Sequence, residues 1–189
     1  MEQIIHWDHV LFEWINFRGS NSVFDAILPI LRNKYFWLPT YIFIISFVIY
    51  NYGRKAYYFL IFLIGSVSLA DFTSAKFFKP YFARLRPCKD DGVEFINMLV
   101  ECGSGYSFTS NHAANHFAIS IFLYFTLGNQ FKQIRPFLIL WAFLVAYAQI
   151  YVGVHFPFDV LCGGLLGGII GYGMSYIYRH SNREIVEFR

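Results

Sequence analysis

The chain has 189 residues, of which 57% are hydrophobic, 22% aromatic and only 14% charged. Soluble domains carry about 25% charged residues. This composition, with a mean hydropathy of +0.44, therefore excludes an ordinary water-facing surface. A formal charge of +3 is too small to point to nucleic acid, and the length fits one domain.

The N-terminus, MEQIIHWDHVLFEW, has acids where the basic region of a cleavable signal would stand. The first membrane segment is therefore expected to direct insertion itself. Ile4, Ile5, Val10, Leu11, Trp14 and Ile15 fall at helical spacing, interrupted by Glu2, His6, Glu13 and Arg18. That pattern predicts an amphipathic helix lying in the membrane interface. A turn at 19–22 and a short apolar helix over about 23–31 follow, the latter a candidate half-length sixth membrane element. Residues 1–34 thus read as an N-terminal interfacial region, 35–178 as the transmembrane core and 179–189 as a cytoplasmic tail.

Crossing a hydrocarbon core takes about 20 apolar residues. Four stretches meet or approach that length, over about 35–50, 56–78, 112–127 and 136–154. A fifth, about 158–178, is rich in glycine, which predicts close packing on neighbouring helices. The expected fold is an all-α integral membrane bundle of five to six transmembrane helices. Arg54 with Lys55, Lys132 with Arg135, and Arg179, Arg183 and Arg189 would share one face, which the positive-inside rule makes cytoplasmic. The loops at 79–111 and 153–157 then meet on the outer face. Lys79, Arg84, Arg86 and Lys89 break the rule there, so those cations call for another purpose.

Ionisable residues at membrane depth are candidate functional groups, and three clusters converge on that outer face. KPYFARLRP carries Lys79, Arg84 and Arg86 with no compensating acid. It suits either a phosphate clamp or snorkelling to headgroups. TSNHAANH puts Thr109 and Ser110 at the head of an apolar helix, where a helix N-terminus attracts anions, and His112 in its first turn. His112 and His116 have i, i+4 spacing, but a third metal ligand is missing, and His116 reads better as a packed histidine. YVGVHFPFDV places His155 and Asp159 across the first turn of the fifth helix, behind a flexible Gly153 and a helix-starting Pro157. The pair is either a histidine held by an aspartate or a cap with an incidental histidine. Taken together, an anion clamp and two histidines, one oriented by an acid, are what phosphoryl transfer to a protein nucleophile requires.

In these three motifs the chain resembles the type 2 phosphatidic acid phosphatases, the membrane relatives of the vanadium haloperoxidases. Their K-x6-R-P pattern matches Lys79 to Arg86-Pro87. Their P-S-G-H pattern matches at Ser110 and His112. Their S-R-x5-H-x3-D pattern matches at His155 and Asp159. The likeness extends over about 56–178. It implies that His155 is the nucleophile, Asp159 its orienter and His112 the general acid. It also implies that Lys79, Arg86, Ser110 and the Asn111 amide bind the phosphoryl oxygens. The family has a six-helix core, so residues 1–34 would supply the missing helix. Two positions depart from the pattern. Ala148-Gln149 replaces Ser-Arg, so Gln149 is expected to offer the phosphate a hydrogen bond but no charge, with Arg84 the expected substitute for the lost cation; Asn111 replaces glycine, and its side chain would either crowd the site or add a phosphate contact. No metal or cofactor is expected.

Cys88 and Cys102 share the outer loop and would form a disulfide if it faces an oxidising periplasm. The expected partners are the bilayer and a lipid phosphate. The expected activity is that of a metal-independent phosphatase at the periplasmic side of a bacterial inner membrane. Undecaprenyl diphosphate is the first candidate substrate and lipid A 1-phosphate the second. The rival reading is a non-catalytic lipid-phosphate binder or transport component with a weakened clamp.

Overall fold

A computed structural model describes residues 2–181, and every regular element in it is helical. Helix α1 (Glu2–Glu13) leads through a π turn (Trp14–Arg18) to α2 (Ser22–Arg32). The first two membrane-length elements are α3 (Leu38–Tyr52) and α4 (Ala56–Phe72). A π turn (Thr73–Phe78) carries α4 into the single turn of α5 (Lys79–Phe82). A long loop then reaches α6 (Asn111–Phe125), followed by the short α7 (Leu127–Gln130), α8 (Arg135–Tyr151) and α9 (Pro157–Ser181). Arg183 and Arg189, expected in the cytoplasmic tail, lie outside the described residues.

Three helical stretches are long and apolar enough to cross a membrane: Leu38–Lys89, Lys132–Tyr151 and Pro157–Ser181. The first doubles back at Gly53–Lys55, so it supplies both α3 and α4. Large apolar side chains point outward along the bundle, Phe43, Phe137 and Ile169 being about two-thirds exposed or more (67%, 69% and 71%). Such a surface is stable against lipid tails rather than water.

The glycines of α9 do what their number predicted. Gly163, Gly167 and Gly171 recur every fourth residue and face Ser110, Ala114 and Ala118 of α6. A β-carbon on Gly167 would stand 2.0 Å from the Ala114 carbonyl oxygen. Only a glycine stripe on one helix against a small-residue stripe on the other allows this approach. Deeper in the bundle, Phe59 of α4 meets Phe122 of α6 edge to face at 5.2 Å and Tyr178 of α9 at 5.5 Å.

The helices alternate in direction, so the bundle has two chemically different ends. At one, Tyr52 donates to Gln130 (2.9 Å), Arg135 stacks on Tyr124 and Arg179 lies over Phe125. Arg54 and Lys55 occupy the α3–α4 turn at that same end. The other end gathers the C-termini of α4 and α8 and the N-termini of α6 and α9. All three motif clusters sit there.

The N-terminal helices are more than an interfacial float. The outer face of α1 exposes Ile4, Trp7 and Leu11, but its inner face buries Asp8 and Phe12, and the π turn after it buries Asn16 together with Ile15, a member of the expected apolar stripe. Asn16 is fully buried and donates to the carbonyls of Asn97 (2.8 Å) and Tyr151 (2.7 Å), while its oxygen accepts from the Asn97 amide (2.7 Å). One side chain thus ties the N-terminus, the long loop and the end of α8 together. Helix α2 is capped by Asn21, whose side chain accepts from the Phe24 amide (3.0 Å). It leans on α8 where Tyr151 donates to Asp25 (2.7 Å).

Candidate active site

His155 stands in the turn between α8 and α9. That turn needs Gly153, whose φ is +88° and whose added β-carbon would meet the Met98 sulfur at 2.8 Å. The amides of Val154 and His155 donate to the Gln149 carbonyl (3.3 and 3.2 Å), pinning the turn to α8. The ring is buried, with 3% of the residue exposed.

Asp159 lies one helical turn on, and it does not reach His155 directly. The Nδ1–Oδ2 separation is 3.7 Å, beyond a good hydrogen bond. Ser107 fills the gap. Its hydroxyl sits 3.2 Å from His155 Nδ1 and bonds tightly to Asp159 Oδ2. An ionised carboxylate only accepts, so Ser107 donates to Asp159 and accepts from His155 Nδ1–H. The imidazole is thereby held with Nε2 bare. Arg86 agrees: its Nη1 approaches Nε2 at 3.4 Å and is a donor only. Burial pushes the His155 pKa down to about 4, against the opposing pull of Asp159. The ring is neutral near pH 7 and presents a lone pair beside the cations.

Arg86 is aimed by backbone carbonyls, donating to Gly105 (2.9 Å) and Val154 (3.0 Å). Gly103 lies flat against its guanidinium, where a β-carbon would come within 3.1 Å. Lys79 donates to the carbonyls of Tyr106 (2.7 Å) and Ser107 (3.3 Å). Cys88 and Cys102 are bonded, with their α-carbons 6.1 Å apart. That link closes residues 88–102, between Arg86 and the Gly105 carbonyl that positions it.

The head of α6 is tied to α9, because the Ser110 amide donates to the Asp159 carbonyl (3.0 Å). The Ser110 hydroxyl caps the helix, accepting from the Ala113 amide at 3.5 Å. His112 occupies the first turn and lines a groove of about 550 Å³ between α3, α4 and α6. The Asn111 side chain neither crowds the clamp nor joins it. Its oxygen accepts from Ser74 (2.9 Å) and its amide donates to Asp71 (2.8 Å), leaving its backbone N–H at the helix start. Asn115 donates to the same Asp71 oxygen (3.0 Å). His116 is a packing residue: Nδ1 donates to the His112 carbonyl (2.9 Å), Nε2 meets the Tyr41 hydroxyl (3.1 Å), and the ring abuts Trp141.

Two expectations need correction. Arg84 does not stand in for the missing clamp cation. Its two terminal nitrogens are held by Asp159 (2.8 Å) and Asp8 (2.6 Å), and its plane covers the Phe156 ring at 4.1 Å. The left-handed Ala83 (φ 45°) swings the chain back so that this guanidinium lies behind Asp159. Gln149 is fully buried, but its amide turns back to the Val145 carbonyl (3.3 Å) and its oxygen has no partner.

Sequence reasoning also passed over Ser107 and Asp8. Ser107 had a faint signal, three residues before the helix cap. Asp8 had one only as an acid on an otherwise apolar helix. Its other oxygen accepts the Phe158 amide (2.8 Å), so α1 anchors the first turn of α9.

Apolar helices long enough for a membrane carry a buried histidine, a serine-bridged aspartate and convergent cations to one end of the bundle, which defines the class as a helical membrane protein with a polar site at that end. The family comparison is consistent with this. The model of the PAP2 superfamily matches residues 55–183, and the chain belongs to that superfamily. A lipid A 4′-phosphatase of Bacteroides thetaiotaomicron is 31% identical over 85% of this chain and 73% of its own length. A second, of Porphyromonas gingivalis, is 29% identical over 96% and 77%. An undecaprenyl-diphosphatase of Sulfolobus acidocaldarius is 29% identical over 90% and 78%. The crystal structure of Aquifex aeolicus LpxE superposes with a TM-score of 0.67 at 27% identity, covering 87% of this chain and 92% of that one. The fold also matches a transmembrane PAP2-type phosphatidylglycerolphosphate phosphatase of Bacillus subtilis (TM-score 0.67, 22% identity, covering 100% of this chain and 90% of that one).

Proposed function

We propose that this protein is a membrane phosphatase acting on the phosphate of a lipid A-type glycolipid, at the outer face of a bacterial inner membrane. The observation that carries the reaction is the His155–Ser107–Asp159 chain, which leaves Nε2 bare beside Arg86. Binding alone needs no such histidine, so the reading of a non-catalytic binder is not favoured.

In the first step Nε2 attacks phosphorus in line, forming an N–P bond as the P–O bond to the lipid breaks. The Nδ1 proton stays on His155, shared with Ser107 and stabilised by Asp159. His112 gives a proton to the departing lipid oxygen. In the second step the now neutral His112 takes a proton from water, and its oxygen displaces His155 to release inorganic phosphate. Lys79, Arg86 and the N–H groups at the head of α6 neutralise the equatorial oxygens in both transition states. The side chains drawn on are all from the chain itself.

The groove beside His112 supports the glycolipid. Its lining includes apolar residues such as Ile45, Leu63 and Val67, and near His112 it turns polar with Asp71, Asn111 and Asn115. Hydroxyls of a sugar ring match those polar groups, whereas a polyprenyl diphosphate offers none there. The two lipid A 4′-phosphatases among the relatives support the same choice.

The test is phosphate release by detergent-purified protein from a 4′-phosphorylated lipid A, a 1-phosphorylated lipid A and undecaprenyl diphosphate, with His155→Ala in parallel. Release fastest from the 4′-phosphate and abolished in His155→Ala is expected. Preference for undecaprenyl diphosphate would overturn the substrate and leave the reaction standing. Release that persists in His155→Ala would overturn the mechanism.

A further inference from the structure

Gln149 leaves the clamp short of a cation, and the structure supplies one from outside the motifs. Arg32 is the last residue of α2. This helix packs along α8, the helix that carries Gln149. Leu28 and Leu31 join the same apolar cluster as Ala146 and Ala148. The chain then returns across Trp141, where Trp37 packs and where the His116 ring also rests. Arg32 therefore enters the bundle between α8 and the first turns of α6.

Its partners are unusual for a semi-buried arginine. Arg32 Nε is shielded from solvent and has no hydrogen-bond partner. Among the described residues no carboxylate pairs with it, in contrast to Arg84 with two and Arg18 with Glu13. The ionisable groups it interacts with are the Arg86 guanidinium and the His112 ring. Burial and the Arg86 charge push its pKa down. A half-buried cation set against another guanidinium is costly unless an anion joins them.

We propose that Arg32 is the third cation of the phosphate clamp, replacing in space the arginine that Gln149 replaces in sequence. The ligand it takes is a tetrahedral oxyanion, here the phosphoryl group of the substrate. A guanidinium grips two such oxygens at once, which Gln149 cannot do with its amide committed to Val145. Arg32 lies outside the region 55–183 that the family model matches, so no motif in that region marks it. The inference rests on the phosphatase reading for its substrate, but not for the anion site itself.

The test uses the full chain in detergent. Arg32→Ala is expected to lower kcat/KM about 10²–10³-fold, as loss of one charge-stabilising donor typically does. It should also weaken inhibition by orthovanadate at least about tenfold, the scale of one charge-assisted hydrogen bond. Arg32→Lys should retain part of both. Adding Gln149→Arg to Arg32→Ala should restore vanadate inhibition and part of the turnover. Wild-type kcat/KM and vanadate inhibition in Arg32→Ala would overturn the proposal. Should Arg32→Ala melt early, Arg32→Gln keeps the stem and decides the question in the same way at unchanged Tm. If the wild type turns over no lipid phosphate but binds vanadate by calorimetry in an Arg32-dependent manner, the phosphatase reading fails and the clamp stands. If it turns over lipid phosphate indifferently to Arg32, the clamp fails alone.

Discussion

Three atoms decide the chemistry of His155: the Ser107 oxygen on one side of the ring, an Arg86 nitrogen on the other, and Asp159 Oδ2 behind the serine. The serine makes the aspartate's influence indirect, and this has a measurable consequence. Partners that orient a working histidine are typically worth about 10–100-fold. Ser107→Ala should lower kcat by that factor with KM little changed, because the serine touches the imidazole rather than the substrate. A wild-type kcat would show that Asp159 orients the ring unaided. Burial gives a second expectation. His155 should titrate by NMR near pH 4 rather than the usual 6.5. The nucleophile is the neutral form, so activity lost to protonation of His155 should appear only as pH falls towards 4. A ring that titrates near 6.5 would contradict the burial.

Arg84 shows how residue identity alone misleads. As one cation among four in KPYFARLRPCK, it is indistinguishable from a phosphate ligand. Its role is set by Asp8, 76 positions away in the chain. The Arg84, Asp8 and Asp159 side chains are 21%, 5% and 0% exposed. Burial raises the Asp8 pKa while Arg84 opposes the rise. Arg84→Ala would leave two carboxylates facing each other without their counter-ion. Breaking a buried pair from one side costs about 3–5 kcal/mol, so its Tm in detergent should fall markedly. Arg84→Ala combined with Asp8→Asn should recover part of that loss. A fall in turnover without a fall in Tm would instead return Arg84 to the phosphate site.

At the scale of helices, much was legible. Apolar runs located α3, α4, α6, α8 and α9 within a few residues, because a membrane span is a composition before it is a shape. The glycine spacing of α9 foretold a close neighbour, and the structure identifies it as α6. Its purpose is more than packing, since the same contact bonds the Ser110 amide to the Asp159 carbonyl and joins the second motif to the third. What stayed hidden is tertiary. Ser107, Asn16 and Asp8 act across separations of 48 residues or more, and nothing in their local pattern distinguishes them. Gly167→Ala tests the element directly. Its methyl must displace the Ala114 carbonyl, and overpacking typically costs about 1–3 kcal/mol. Tm and turnover should fall together as the head of α6 shifts from Asp159. Gly173→Ala on the same helix, where a β-carbon meets nothing within 4 Å, should leave both unchanged. Equal effects would mean that α9 is sensitive to helix propensity rather than to this contact.

The whole molecule is polarised along the bundle axis. One end holds Arg54, Lys55, Lys132, Arg135 and Arg179; the other holds the site, the disulfide and the N-terminal helices. The positive-inside rule predicts that the first end is cytoplasmic. Lys79, Arg84 and Arg86 at the opposite end are held by carbonyls and carboxylates, and in the proposed function the substrate phosphate compensates the rest of their charge. A disulfide also persists only on the oxidising side. These two independent arguments give one orientation, which thiol labelling can check. Glu94 and Lys132 are both exposed and lie at opposite ends. In a Cys162→Ala background, Glu94→Cys should react with a membrane-impermeant maleimide in spheroplasts, and Lys132→Cys only after the membrane is permeabilised. The reverse pattern would place the site in the cytoplasm. It would also leave the bond between Cys88 and Cys102 without an oxidising compartment to maintain it.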